Sequence, residues 1–133
     1  MKRIFYCFLL LSILLTGCAR STPESFTVLT RITVIREYQG VQTQRIYTTS
    51  EKMSRILNIL RSIGTSSSPD LDPEPLKLRC YTITLTRSDG STLTYKTKGD
   101  RYIRKNDEAW QQTDPKIVSE LNLLLQTLPS DEN

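Results

Sequence analysis

The 133-residue sequence contains no histidine. That absence excludes Ser-His-Asp and Cys-His nucleophile arrangements, histidine zinc sites and the usual general base. Glycine is sparse, five in all, and none sits in a phosphate-cradling loop or a G-x-G-x-x-G run. No cofactor, metal site or catalytic set is therefore expected. The acids offer no opposed carboxylate pair, because they gather in turns and in one linker. A large excess of either charge is also lacking. There are 18 basic and 14 acidic residues, and two of the basic ones, Lys2 and Arg3, lie at the extreme N-terminus. So slight an excess does not indicate nucleic-acid binding.

What is present begins with a hydrophobic run. Lys2 and Arg3 precede Ile4 to Leu15, "IFYCFLLLSILL", apolar apart from Ser12. As a helix this run spans ~18 Å, short of a ~30 Å hydrocarbon core. It fits a signal peptide better than a transmembrane anchor. The run stops at Leu15-Thr16-Gly17-Cys18, a hydrophobic residue and two small ones before a cysteine.

This tetrapeptide resembles the lipobox of bacterial lipoproteins. The resemblance covers only about the first 18 residues and leaves the folded part unassigned. It implies cleavage after Gly17, a diacylglyceryl group on the Cys18 thiol and often an acylated amine. The chain would then be held at a membrane, outside the cytoplasm. Two or more acyl chains anchor where a single one binds reversibly.

Beyond the signal, residues 18–133 amount to one domain's worth of chain. Of the three cysteines, the resemblance implies that Cys7 leaves with the signal and Cys18 carries lipid. On that reading Cys80 is expected to form no intramolecular disulfide. It lies in an alternating run, which predicts a small buried hydrophobe rather than a reactive thiol.

Residues 19–25, "ARSTPES", read as a short polar tether reaching ~25 Å when extended. The domain therefore sits close to the bilayer. In the following stretch Phe26, Val28, Ile32 and Val34 share one parity, and Leu29 and Ile35 share the other with Thr27, Arg31 and Thr33. The pattern predicts a long strand, a turn near Tyr38-Gln39-Gly40 and a second strand over about 41–48. The second strand does not keep its apolar residues on one parity. Then Met53, Ile56, Leu57, Leu60 and Ile63 recur at helical spacing, with Ser50 as the expected N-cap and Gly64 as the residue past the end. Residues 64–76, "GTSSSPDLDPEPL", form a linker. Its Asp70-x-Asp72-x-Glu74 spacing lacks the glycine and distal glutamate of a calcium loop and reads as a solvated acidic loop.

The second half, 77–128, holds Tyr81, Ile83 and Leu85 alternating with threonines, then Leu93 and Tyr95 alternating with Thr92, Thr94 and Lys96. Turn signals at Asp89-Gly90 and Gly99-Asp100 make a three-stranded meander, its last strand near Arg101 to Arg104. Trp110 precedes a final helix and is expected to pack over its start. Asp114 is placed as N-cap, Pro115 at the first helical position, and Ile117, Val118, Leu121, Leu124, Leu125 and Leu128 form the apolar stripe. "LNIL" at 57–60 and "LNLL" at 121–124 occupy like places and read as internal duplication. Residues 129–133 are a tail.

Two striped helices need a sheet face to cover. The expected fold is α+β, a two-layer sandwich of order β-β-α-β-β-β-α. A mainly antiparallel sheet of about five strands is covered on one face by both helices, in a single domain over 26–128. The other face carries Arg31 and the threonine and lysine parity, including Thr84 and Lys96. It reads either as solvated surface or as a docking face for an envelope protein or glycan. The leading functional expectation is a non-catalytic binding or accessory lipoprotein. A structural or assembly role in the envelope is the alternative, and an enzyme with an unrecognised carboxylate site is the third.

Overall fold

A computed structural model describes residues 28–67, 73 and 77–132. Cys7, the lipobox with Cys18, the tether, Phe26 and the Asp70-x-Asp72-x-Glu74 run lie outside the described residues. In chain order the elements are β1 (Leu29–Tyr38), β2 (Val41–Tyr47), α1 (Ser50–Ser62), β3 (Thr65–Ser67), β4 (Cys80–Arg87), β5 (Thr92–Lys98), β6 (Tyr102–Lys105), β7 (Gln111–Thr113) and α2 (Pro115–Thr127). The strands form a seven-stranded sheet, ordered β2-β1-β4-β5-β6-β7-β3. Every neighbouring pair runs antiparallel. The fold is an α+β sandwich of two layers.

Two strands exceed the sequence expectation. β3 falls at the start of the expected linker, and β7 follows Trp110. Their sequences, Thr-Ser-Ser and Gln-Gln-Thr, carry no apolar alternation, and they pair with each other at the far end of the sheet. The far end of the sheet thus joins the start of the linker to the second half of the chain.

Local chemistry explains most boundaries. Gln39 and Gly40 join β1 to β2 with φ of 51° and 78°. Left-handed backbone at both central residues is the geometry of a tight I′ hairpin, which glycine adopts without strain. At the last helix, Asp114 accepts a hydrogen bond from Lys116 N at 3.0 Å and Pro115 opens the first turn, as the sequence predicts.

The core lies between the sheet and both helices. Ile32, Val34, Tyr47, Tyr81, Ile83 and Leu85 meet Met53, Ile56, Leu60, Leu121, Leu124, Leu125 and Leu128. One parity is corrected at the start of β1. The register shifts between Leu29 and Arg31, a bulge at Thr30. That extra residue moves Leu29 to the helix side, where it packs against the core, and leaves Val28 62% exposed.

The tail is not loose. Arg45 Nη1 donates to the carbonyls of Leu125, Gln126 and Leu128, supplying acceptors at the end of α2 with a cationic donor. The buried Tyr47 hydroxyl donates to Leu128 O at 2.9 Å, and burial pushes its phenol pKa up. Asp131 reaches the start of α1. Its carboxylate accepts from Lys52 Nζ at 2.5 Å and from Thr48 N and Thr49 N at 2.8 and 2.9 Å. The Lys52 ammonium first, then these N–H groups, hold the Asp131 carboxyl well below the usual carboxylate range. Thr49, not Ser50, is the N-cap residue of α1; its side chain makes no cap bond, and its hydroxyl donates to Asp131. Gly64 does follow the C-cap, Ile63, but its backbone is not left-handed.

Candidate functional site

Strand alternation sends every second residue to the face without helices. The register fixes the rows on that face. Thr84 lies between Thr33 and Thr94, and Ile46 completes the row on β2. Next along the strands, Gln44, Ile35, Thr82, Lys96 and Arg104 stand side by side on five strands. The third row holds Gln42, Glu37, Cys80, Lys98 and Tyr102. Arg31, opposite Thr86, belongs to the same face.

The three sequence-predicted positions thus share one face but do not form one cluster. Arg31 sits two strands from Lys96 and four positions along, ~13 Å by strand rise and ~10 Å across. Thr84 lies between them. Arg31 is paired with Glu132 at 3.6 Å, both half-exposed. Lys96 has cationic neighbours instead: Arg104 directly opposite, and Lys98 two residues on. Lys98 is only 6% exposed, so the positive charge that reaches solvent on the β5–β6 side comes from the half-buried Lys96 and Arg104, while Glu37 and Glu132 lie on the β1–β2 side.

Trp110 belongs to this basic side. It is 9% exposed, and the Arg104 guanidinium lies over its ring, 4.9 Å from the centroid. The ring is thus capped by the guanidinium. Neither Trp110 Nε1 nor Arg104 Nε has a hydrogen-bond partner.

Cys80 requires a correction. It is half-buried and falls on the open-face parity with Thr82 and Thr84, not in the core. The core residue at that end of β4 is Tyr81, 1% exposed. Alternation puts adjacent residues on opposite faces, so a run that buries Tyr81, Ile83 and Leu85 turns Cys80 outward. Its Sγ donates to Leu78 O at 3.5 Å.

Sequence reasoning also missed a cleft. A cavity of about 300 Å³ opens at the end of the third row, among Glu37, Tyr38, Leu78, Cys80 and Lys98. Tyr38 and Leu78 are each 40% exposed there, and Arg79 lies over the Tyr38 ring at 5.1 Å. No local motif signals it, because β1, the β4 approach and β5 contribute its walls from three distant parts of the chain. Among the described residues no group of three or more Cys, Asp or Glu side chains is placed to hold a metal ion. None of the described helices is long and apolar enough to cross a membrane. Comparison with protein-family models, with curated proteins and with solved structures gives no match to the chain.

Proposed function

We propose that the chain is an extracytoplasmic lipoprotein, held at a membrane by lipid on Cys18, whose domain serves as a non-catalytic binding or accessory module. The open sheet face is its contact surface. One observation carries this reading: both helices cover the same side of the sheet, leaving a polar face on which the half-buried Lys96 and Arg104 adjoin a field of threonine hydroxyls. Hydroxyls and cations on a rigid sheet suit hydrogen-bonding, weakly anionic partners, an envelope protein or a glycan. Tyr102 and the cleft at Tyr38 and Leu78 add amphipathic contact area.

Two variants test the reading at its two ends. Cys18→Ser abolishes lipid labelling and releases the protein from the membrane fraction; retention of the variant contradicts the anchor. Lys96→Ala with Arg104→Ala weakens capture of partners from envelope extract while the domain stays folded. Unchanged capture removes this face from the binding surface.

A further inference from the structure

The outer edge of β2 divides into a covered part and an open part. Among the described residues no strand lies beyond β2 in the sheet. At its far end the chain's own C-terminal residues take the edge. Ile46 N donates to Ser130 Oγ, Ile46 O accepts from Asp131 N, and Ile46 bridges Glu132 antiparallel. These bonds set the phase of the strand. Ile46 turns its N–H and C=O away from β1, so Gln44 and Gln42 do the same.

Among the described residues none covers that remaining length. Residues 41–44 are all exposed, and Val41 is 65% exposed. Their sequence, Val-Gln-Thr-Gln, holds no proline and no charge, the usual devices that blunt an edge. The same exposure explains why β2 keeps no apolar parity: its first four residues are buried on neither face.

We propose that two copies of the chain pair edge to edge through β2, with Gln42 opposite Gln44 of the partner subunit. The twofold axis then passes Thr43, and the sheet runs on through both copies. Three features select a second copy. An antiparallel pair of identical strands closes with twofold symmetry and leaves no growing end. The opposed side chains match themselves: amide faces amide twice, and threonine faces threonine, with no like charges across the seam. Arg45, the nearest cation, is turned away to the carbonyls at the end of α2. The covered Ile46 confines pairing to residues 41–45 and excludes the register with Gln44 opposite its own copy. The seam makes about four backbone hydrogen bonds and falls below the ~1,200 Å² of a stable interface. Pairing is therefore weak in dilute solution and favoured where copies are concentrated. It adds a second open face beside the first and leaves both uncovered.

Disulfide trapping tests it. In this register Thr43 faces its own copy as a non-hydrogen-bonded pair with Cα atoms ~4.5 Å apart, inside the span of a disulfide. The full chain carrying Cys7→Ser, Cys18→Ser and Cys80→Ser in mild detergent is oxidised with Thr43→Cys or, as collision control, with Ser54→Cys on the exposed side of α1. The Thr43→Cys chain forms disulfide dimer roughly tenfold faster or more, because pairing raises the effective thiol concentration. Adding Gln44→Pro removes an outward N–H and returns the rate to the control. Gln42→Lys with Gln44→Lys, opposing like charges, slows trapping, and Gln42→Lys with Gln44→Glu restores it. Melts show that each variant is folded. Equal rates for Thr43→Cys and Ser54→Cys overturn the proposal, as does trapping that ignores the charge pattern in folded variants.

Discussion

The two faces of the sheet are made by the same strands yet obey different rules. On the helix side, Ile32, Val34, Ile83 and Leu85 are almost wholly buried against α1 and α2. On the other side, Thr33, Thr82, Thr84 and Lys96 are half-buried, screened mainly by their strand neighbours. The first face holds the fold together through apolar burial. The second asks only for residues that tolerate a strand and water, which threonine does. It is thus free to carry contacts for something else.

The contrast predicts a graded set of effects. Leu121, fully buried at the centre of α2, gives the largest. Leu121→Ala destabilises the domain by about 2–5 kcal/mol in urea unfolding, through lost transfer energy and the cavity left behind. Asp131→Asn comes next, because it weakens the acceptor at the start of α1 and the Lys52 ion pair together. Its signature is a pH profile. The folded carboxyl titrates below the unfolded one, so its stabilisation is fully present above about pH 4 and is lost as pH falls below that. The Asn variant shows a flatter acid limb in melts taken from pH 6 down to about pH 2. Asp89, held low by Ser91, keeps a smaller slope. A variant as acid-sensitive as the parent would remove Asp131 from that role.

Tyr47→Phe is milder. It deletes the hydroxyl that bonds Leu128 O, a carbonyl that Arg45 also serves, and costs about 1 kcal/mol in the same unfolding assay. Smallest of all are Thr84→Ala and Lys96→Ala, each under about 1 kcal/mol, the range of strand propensity alone.

Much of this fold is legible in the sequence because its signals are local. Gln39-Gly40 dictates a hairpin, Asp114-Pro115 starts a helix, and Tyr81, Ile83 and Leu85 declare a buried parity within a few residues. The remainder depends on partners distant along the chain. The Thr48 and Thr49 N–H groups just before α1 are satisfied by Asp131, and no motif near Thr49 could announce it. β3 and β7 are strands only because each supplies the other's bonds. The bulge at Thr30 is a one-residue event that reverses Leu29 and Val28, and alternation cannot foresee it. For the candidate site the balance is similar. Arg31, Thr84 and Lys96 were legible as one face from parity. The adjacency of Lys96, Lys98 and Arg104, the capping of Trp110 and the cleft beside Tyr38 follow from strand order, which parity does not encode.

The central claim is that the helix-free face serves binding and not folding. Its most direct measurement is a thermal melt and a capture assay from envelope extract on the same four variants, Leu121→Ala, Leu124→Ala, Thr84→Ala and Lys96→Ala. The account predicts that the leucine variants melt far below the parent, while the Thr84 and Lys96 variants melt with it and capture less partner. If the Thr84 and Lys96 variants unfold as readily as the leucine ones, or fold normally and capture as well as the parent, the claim is contradicted.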